Sequence, residues 1–268
     1  LTAPDIIVTA ADLSAAGDAV ADSERRRQAM AGRAELKIAM RGTPPRMDAS
    51  LADWGAADWG SLDRSGTAAW FNSDSKAYDV SAAIAIAGDR LYAAFRTGDP
   101  ALLRNSGALP TAPFATGGAL DILLGTSAEA EDQRRSPTSG DVRLVVTKIE
   151  GKPQALLYRA AQPGAVRHTD FSSPWRTVSL GEVENVTDEL QFAEGGGNYI
   201  VSIPLRRLGL APRPGMRVRG DIGVRRGNGL ETLQASYWND KATAIVADIP
   251  SEAELHPELW GHWVFSRE

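Results

Sequence analysis

The sequence predicts an all-β fold, a two-sheet antiparallel β-sandwich of the jelly-roll or immunoglobulin-like kind preceded by an N-terminal helical segment. Three observations predict it. From Met47 onward, short runs of four to eight residues alternate apolar with small or polar side chains, as half-buried strands do. Glycine-rich turn signals separate those runs at close intervals. No strand-then-helix alternation of the kind a parallel sheet requires is present, and repeated short strands with such punctuation belong to sandwiches and barrels. At 268 residues the chain is long enough to bury a large core without covalent staples.

The first segment differs from the rest. Thr9 to Arg41 is rich in Ala, Asp, Glu and Arg, and Leu13, Ala16, Val20, Met30, Ala34 and Ile38 fall near helical spacing. Thr9-Ala-Ala-Asp12 has the form of a capping box, and Pro44-Pro45 ends the pattern. The expectation is one long helix or a broken pair over Thr9 to Arg41, within a connector of residues 1–44 or lying across the sandwich, with the sandwich itself over 45–268.

The β pattern then begins. Val80, Ala82, Ile84 and Ile86 alternate, Gly88-Asp89 gives a turn, and Leu91, Ala93 and Phe95 alternate again, which is a hairpin. Further strands are predicted over 119–124, 142–148, 154–159, 175–180, 199–203, 217–224, 231–238 and 261–265. Turns fall at Gly117-Gly118, Gly140-Asp141, Gly151-Lys-Pro153, Gly195-Gly-Gly197 and Gly227-Asn-Gly229. Pro204-Leu-Arg-Arg-Leu208 before Gly209 fits a single helical turn. Thr126 to Ser139 and Asp240 to Glu258 read as long exposed loops, the second broken by Pro250 and Pro257.

Composition excludes several functions. A net charge of −5 gives no footprint for nucleic acid or anionic lipid, and Glu24-Arg-Arg-Arg27 is too short to change that. No apolar run approaches the roughly 20 residues of a membrane span. The absence of cysteine removes disulfides, thiolate metal sites and cysteine nucleophiles. A start at Leu1 fits a processed protein or a piece of a longer one.

No catalytic motif is present. His256 and His262 stand six apart with Pro257 between them, not at the spacing of a metal pair on one helix face, and packing or solvated histidines are the expectation for these and for His168. Serine-nucleophile, phosphate-loop and dinucleotide patterns are missing. Asp48 and Asp53, with Asp58 nearby, offer hard oxygen ligands for a structural calcium ion, although none lies in an EF-hand loop. Of the seven tryptophans, Trp54, Trp59, Trp70, Trp175, Trp238, Trp260 and Trp263, most are expected in the core. Trp238 ends a strand and is followed at once by Asn239 and Asp240, a flat ring beside polar groups of the sort a sugar face needs.

In these residues the chain resembles a family nine carbohydrate-binding module within the wider group of DOMON-like sandwiches. The likeness runs from about Pro45 to Phe265. Met47-Asp-Ala-Ser-Leu-Ala-Asp-Trp54 resembles the family's opening element, and Asp89-Arg-Leu-Tyr-Ala-Ala-Phe95 its Leu-Tyr-Val strand. Ala119-Leu-Asp-Ile-Leu-Leu124 resembles its Ser-Val-Glu-Ile strand, and Tyr199 to Pro204 its Gly-Tyr-x-Val-Glu-Ala element. Gly140-Asp-Val-Arg-Leu144, Ser173-Pro-Trp175, Tyr237-Trp-Asn239 and Asp248-Ile-Pro-Ser-Glu-Ala253 before Trp260-Gly261 resemble a divergent branch, found at the end of large bacterial surface or secreted proteins.

The resemblance implies a non-catalytic module that binds a polysaccharide or oligosaccharide, or a vestigial structural version of one. It also implies an upstream catalytic domain as partner and a secreted, periplasmic or cell-surface setting, with Asp48 and Asp53 as the ligands expected for structural Ca2+. The family clamps a sugar between two tryptophans. The first position corresponds here to Phe114, with Thr116-Gly117-Gly118 in place of an acidic pair, and the second falls in Ala242 to Ala247, which has no aromatic. Phe114, Trp238, Asn239 and Trp70 are the carbohydrate-binding residues expected on this basis. The alternative is a haem-binding electron-transfer module, for which His168 and Met216 are the axial ligands to test.

Overall fold

A computed structural model describes residues 34–62, 68–69, 80–127, 130–131, 134–161, 167–242 and 248–268. Its strands, in chain order, are β1 (Glu35–Arg41), β2 (Gly60–Leu62), β3 (Ala68–Ala69), β4 (Val80–Ala87), β5 (Arg90–Arg96), β6 (Arg104–Asn105), β7 (Ala119–Gly125), β8 (Asp141–Ile149) and β9 (Lys152–Arg159). They continue as β10 (His168–Ser172), β11 (Thr177–Gly181), β12 (Glu184–Asn185), β13 (Gln191–Gly195), β14 (Asn198–Pro204), β15 (Arg217–Gly227), β16 (Thr232–Tyr237) and β17 (Gly261–Arg267).

The all-β expectation holds, but the division into two separate sheets does not. Apart from the two-stranded β10–β11 ribbon, the strands follow one hydrogen-bonded path, β12-β9-β8-β7-β15-β17-β1-β4-β5-β14-β13, with β16 on β15, β3 on β16, β2 on β4 and β6 on β8. The join is β1. It pairs in parallel with β17 on one side, Leu36 opposite Trp263 and Ile38 opposite Phe265, and in parallel with β4 on the other, Met40 opposite Ile86. Without it the path falls into a six-strand half and a four-strand half, so β1 turns two layers into one curled sheet.

That finding corrects the helical expectation for the end of the N-terminal segment. Glu35-Leu-Lys-Ile-Ala-Met-Arg41 alternates polar with apolar, and the alternation puts Leu36 and Ile38 in the core while Glu35 and Lys37 stay exposed. Residues 1–33, which carry the rest of that expectation, lie outside the described residues.

The inner face of the curl holds the main core. Ile84 and Ile86 of β4, Leu91 and Phe95 of β5 and Tyr199 and Val201 of β14 meet Ile122 and Leu124 of β7, Leu144 and Val146 of β8 and Ile222 and Val224 of β15 across it. Each strand supplies every second residue, so the period-2 pattern is the pattern of burial. The β4–β5 hairpin forms as predicted, Ala87 opposite Arg90, with Gly88 at φ +56° in a backbone region that disfavours a side chain. Leu205–Leu208 is the predicted helical turn, with Gly209 at φ +73° closing it.

A second apolar layer lies on the outer face of β7, β8, β9 and β16. Val145, Leu156, Tyr158, Ala235 and Tyr237 pack there against Phe114, Phe171, Leu180, Ala253, Leu255 and Trp260. Its cover comes from the β10–β11 ribbon and from residues 248–260, where a helical turn at Ile249–Ala253 and a 3-10 turn at Pro257–Leu259 replace the expected exposed loop. The buried Ala253, Leu255 and Leu259 explain why. Among the described residues no helix is long and apolar enough to cross a membrane.

Candidate functional site

The outer layer encloses a cluster of charge. Asp121 of β7, Arg143 of β8, Arg225 of β15 and Tyr237 of β16 occupy the outward parity of adjacent strands, and all four are buried, with Asp121 wholly inaccessible. Arg143 grips Asp121 with both arms of its fork, Nη2 to Oδ2 at 2.6 Å and Nε to Oδ1 at 2.8 Å, the geometry of a strong bidentate pair. Tyr237 donates its hydroxyl to Asp121 Oδ2 at 2.6 Å, and Arg225 Nε reaches the same oxygen at 3.3 Å. From the covering turn, Glu252 pairs with Arg225 through Oε2 and accepts from Arg143 through its backbone oxygen.

The electrostatics follow from burial and pairing. Burial alone would raise the Asp121 carboxyl, but the adjoining Arg143, then Arg225 and the Tyr237 hydroxyl, outweigh it and hold it below the ordinary range. Glu252 is raised instead: burial dominates, and its Oε1 has no hydrogen-bond partner among the described residues. Every guanidinium arm near the carboxylates is committed to a neighbour. The cluster contains no activated nucleophile beside a base; it is a clamp that fixes Ile249–Ala253 on the sheet.

The residues expected to hold a sugar are mostly inside. Phe114 has no exposed area. Its ring lies 5.7 Å from Tyr158 and 5.9 Å from Phe171, and Arg143 covers its face at 4.6 Å from the centroid. A ring enclosed in this way is a core residue, not a surface platform. Trp238 is also buried, wedged between glycines: a Cβ at Gly60 would come within 2.7 Å of its Cδ1, and one at Gly261 within 2.5 Å of its Cζ3. Asn239 is spent on structure. Its Nδ2 donates to Leu259 O at 2.7 Å, its Oδ1 accepts from Ala34 N at 3.1 Å and its N–H donates to Asp221 at 3.0 Å. Trp70 lies outside the described residues, as do residues 243–247 of the second clamp loop.

Asp48 is exposed, Asp53 is half-buried, and both face Arg46. The guanidinium holds Asp53 with Nε at 3.1 Å and Nη2 at 3.1 Å, and its Nη1 lies 3.7 Å from Asp48. Among the described residues no group of three or more His, Cys, Asp or Glu side chains stands close enough to hold a metal ion. His168 sits on the exposed β10–β11 ribbon with its Nε2 3.5 Å from Asp170, whereas Met216 packs against the inner core. The two belong to different layers of the fold.

Beside the clamp is a cavity of about 30 Å³, the size of a single water, bordered by Asp221, Glu252, Glu254 and His256. Burial pushes the Asp221 carboxyl up to about 8, against the backbone N–H donors of Asn239, Asp240 and Ile222 that pull it down. Its folded value therefore lies above the ordinary 3.8, so its contribution to stability is complete at low pH and is lost as pH rises toward 8. Denaturant midpoints measured between pH 5 and 8 are expected to fall with pH, and Asp221→Asn to give a shallower slope. Parallel slopes for the two proteins would refute the assignment.

The sequence did carry a signal for the clamp. Asp121 shares its parity with Leu123, and Arg143 shares its parity with Val145, both apolar. Charges flanked by apolar residues on the same face of a strand point to a covered face with buried pairs.

The surface that remains open to a ligand is small in aromatic content. Trp54, Trp260 and Trp263 are buried, and Trp59 is partly covered by the Arg96 guanidinium, 3.6 Å from its ring centroid. Trp175 is the exception among the described tryptophans at 89% exposed, and the strand expected from Trp175 begins instead at Thr177.

No protein-family model matches the chain, and no curated protein sequence matches it. Its structure is similar to a carbohydrate-binding module of family 9 from Caldicellulosiruptor kristjanssonii in complex with glucose. The TM-score is 0.53 at 12% identity, covering 88% of this chain and 97% of that one. A Bacteroides uniformis chain described as a "putative carbohydrate-binding protein" gives a TM-score of 0.48 at 14% identity, covering 88% of this chain and 100% of that one. At 12% identity the first likeness is one of fold.

Proposed function

We propose that the chain is a non-catalytic carbohydrate-binding domain of a larger secreted, periplasmic or cell-surface bacterial protein, accompanying a catalytic domain of the same protein. The observation that carries this reading is the fold, which spans 97% of a family 9 module in complex with glucose. The resemblance in Met47 to Trp54, Ala119 to Leu124 and Tyr199 to Pro204 supports it independently of the fold.

The clamp supports the non-catalytic half. Its carboxylates are buried and each is paired with an arginine, so the cluster presents no exposed acid and base to a sugar. With Phe114 enclosed, a sugar is held elsewhere on the surface and the Phe114 ring serves the core.

Calorimetric titration of the full chain with a panel of oligosaccharides tests the proposal, paired with an assay for reducing ends on the matching polysaccharides. Dissociation constants in the micromolar to millimolar range, about 4–8 kcal/mol, are expected for at least one glycan, with no reducing ends released. Absence of heat with every glycan would overturn the binding role. Released reducing ends would overturn the non-catalytic one.

A further inference from the structure

We infer that the tip of the β10–β11 ribbon is a glycan-binding site, with Trp175 as its stacking platform and the Arg176–Glu254 pair and the Asp248 carboxylate as its hydroxyl partners. The inference rests on the carbohydrate-binding reading above and gives it a location.

Exposure alone is not the argument, since single apolar residues on a surface are ordinary. What distinguishes Trp175 is how firmly it is held out. Pro174 precedes it and presets φ at the two-residue tip, and Ser173 N–H donates to Arg176 O at 2.9 Å to close the turn. Ser172 faces Thr177 across the last pair of the ladder, their hydroxyls 2.9 Å apart. Below the tip, Phe171 and Leu180 are buried in the outer core and fix the ribbon to the body. Arg176 pairs with Glu254, strapping the tip to the segment that carries Glu252.

A ring presented on a braced turn loses little freedom when a ligand covers it, which lowers the cost of binding. The indole could bury on the order of 150–250 Å², yet the fold leaves that area in water.

The surroundings select the ligand class. Asp248 is half-buried, and the Ser251 hydroxyl, then the Ser173 hydroxyl, keep its carboxyl below the ordinary range and therefore ionised. Arg176 and Glu254 add a donor and an acceptor, each about a third exposed. A pyranose offers a C–H face for the ring and a rim of hydroxyls for fixed charges, and such convergent polar groups around an apolar surface set orientation. An apolar protein groove has no partners for these charges, so a glycan fits better than a protein.

The test uses the full chain, electrophoresed through native gels with and without xylan, mixed-linkage β-glucan or galactomannan, and sedimented with insoluble cellulose and chitin. Wild type and a Leu230→Ala control, another exposed apolar site far along the sequence, are expected to be retained equally on the same polysaccharide. Trp175→Ala should weaken retention by about tenfold or more, and Trp175→Tyr should restore much of it. Near-ultraviolet circular dichroism and melting would confirm that the variants are folded. Retention of wild type by a polysaccharide with unchanged retention of Trp175→Ala would overturn this site and leave the functional reading intact. Failure of wild type on every polysaccharide would overturn both. Loss of self-association in Trp175→Ala, with glycan retention unchanged, would assign the tip to protein contact and so overturn the glycan site.

Discussion

Asp121→Ala is expected to lower the unfolding free energy by about 3–5 kcal/mol, because it leaves two buried guanidinium groups facing an empty space. Asp121 accepts the forked pair from Arg143, a third contact from Arg225 and the Tyr237 hydroxyl. Removing it orphans donors on three strands at once, and the low-dielectric surroundings make each costly. Urea denaturation at neutral pH measures the loss. Asp121→Asn keeps an acceptor oxygen and should lose less. A loss below about 1 kcal/mol for the alanine variant would mean that the pair behaves as a solvent-screened surface bridge, contrary to its complete burial.

Ile38→Asp is expected to prevent stable folding, and the milder Ile38→Ala to lose about 2–5 kcal/mol. Ile38 has no exposed area, pairs with Phe265 and lies in the main core on the strand that joins the two halves of the sheet. Lys37→Ala, one residue away on the opposite parity and exposed, should change stability by less than about 0.5 kcal/mol. This contrast is specific to a strand. If residues 35–41 were a helical connector outside the sandwich, both variants would be nearly neutral.

The misreading of β1 has a physical origin. Ala34 and Ile38 continue a helical spacing from Met30, and a long window gives that spacing more weight than the seven-residue alternation Glu35-Leu-Lys-Ile-Ala-Met-Arg41 inside it. The alternation was the stronger local signal. By contrast, the β4–β5 hairpin was legible because two alternating runs flank a Gly-Asp turn, so pattern and turn chemistry agree.

The site was harder to read. Trp238 is enclosed between Gly60 and Gly261 in the inner core, whereas a sequence locates Phe114 relative to strands but not the chain that comes back to cover it. That cover is made by β10–β11, some 55 residues beyond Phe114, and by Ile249–Ala253 near the end of the chain. The run from Trp175 to Leu180 reads as a strand, yet Pro174 beside Trp175 marks a turn, and a tryptophan at a turn tip has nothing to pack against. The same two segments therefore explain both errors: they bury the expected platform and carry the exposed ring.

An enclosed Phe114 and an exposed Trp175 separate stability from binding. The clamp of Asp121, Arg143, Arg225 and Glu252 should affect stability, and Trp175 should affect binding; neither should do the work of the other. The most direct measurement is the affinity of the full chain for glycans compared with that of Trp175→Ala, made by titration on whichever polysaccharide fragment retards the wild type. The account predicts saturable binding by wild type that Trp175→Ala weakens by about tenfold or more while its melting temperature stays unchanged. Wild type that binds no glycan in the panel would contradict it.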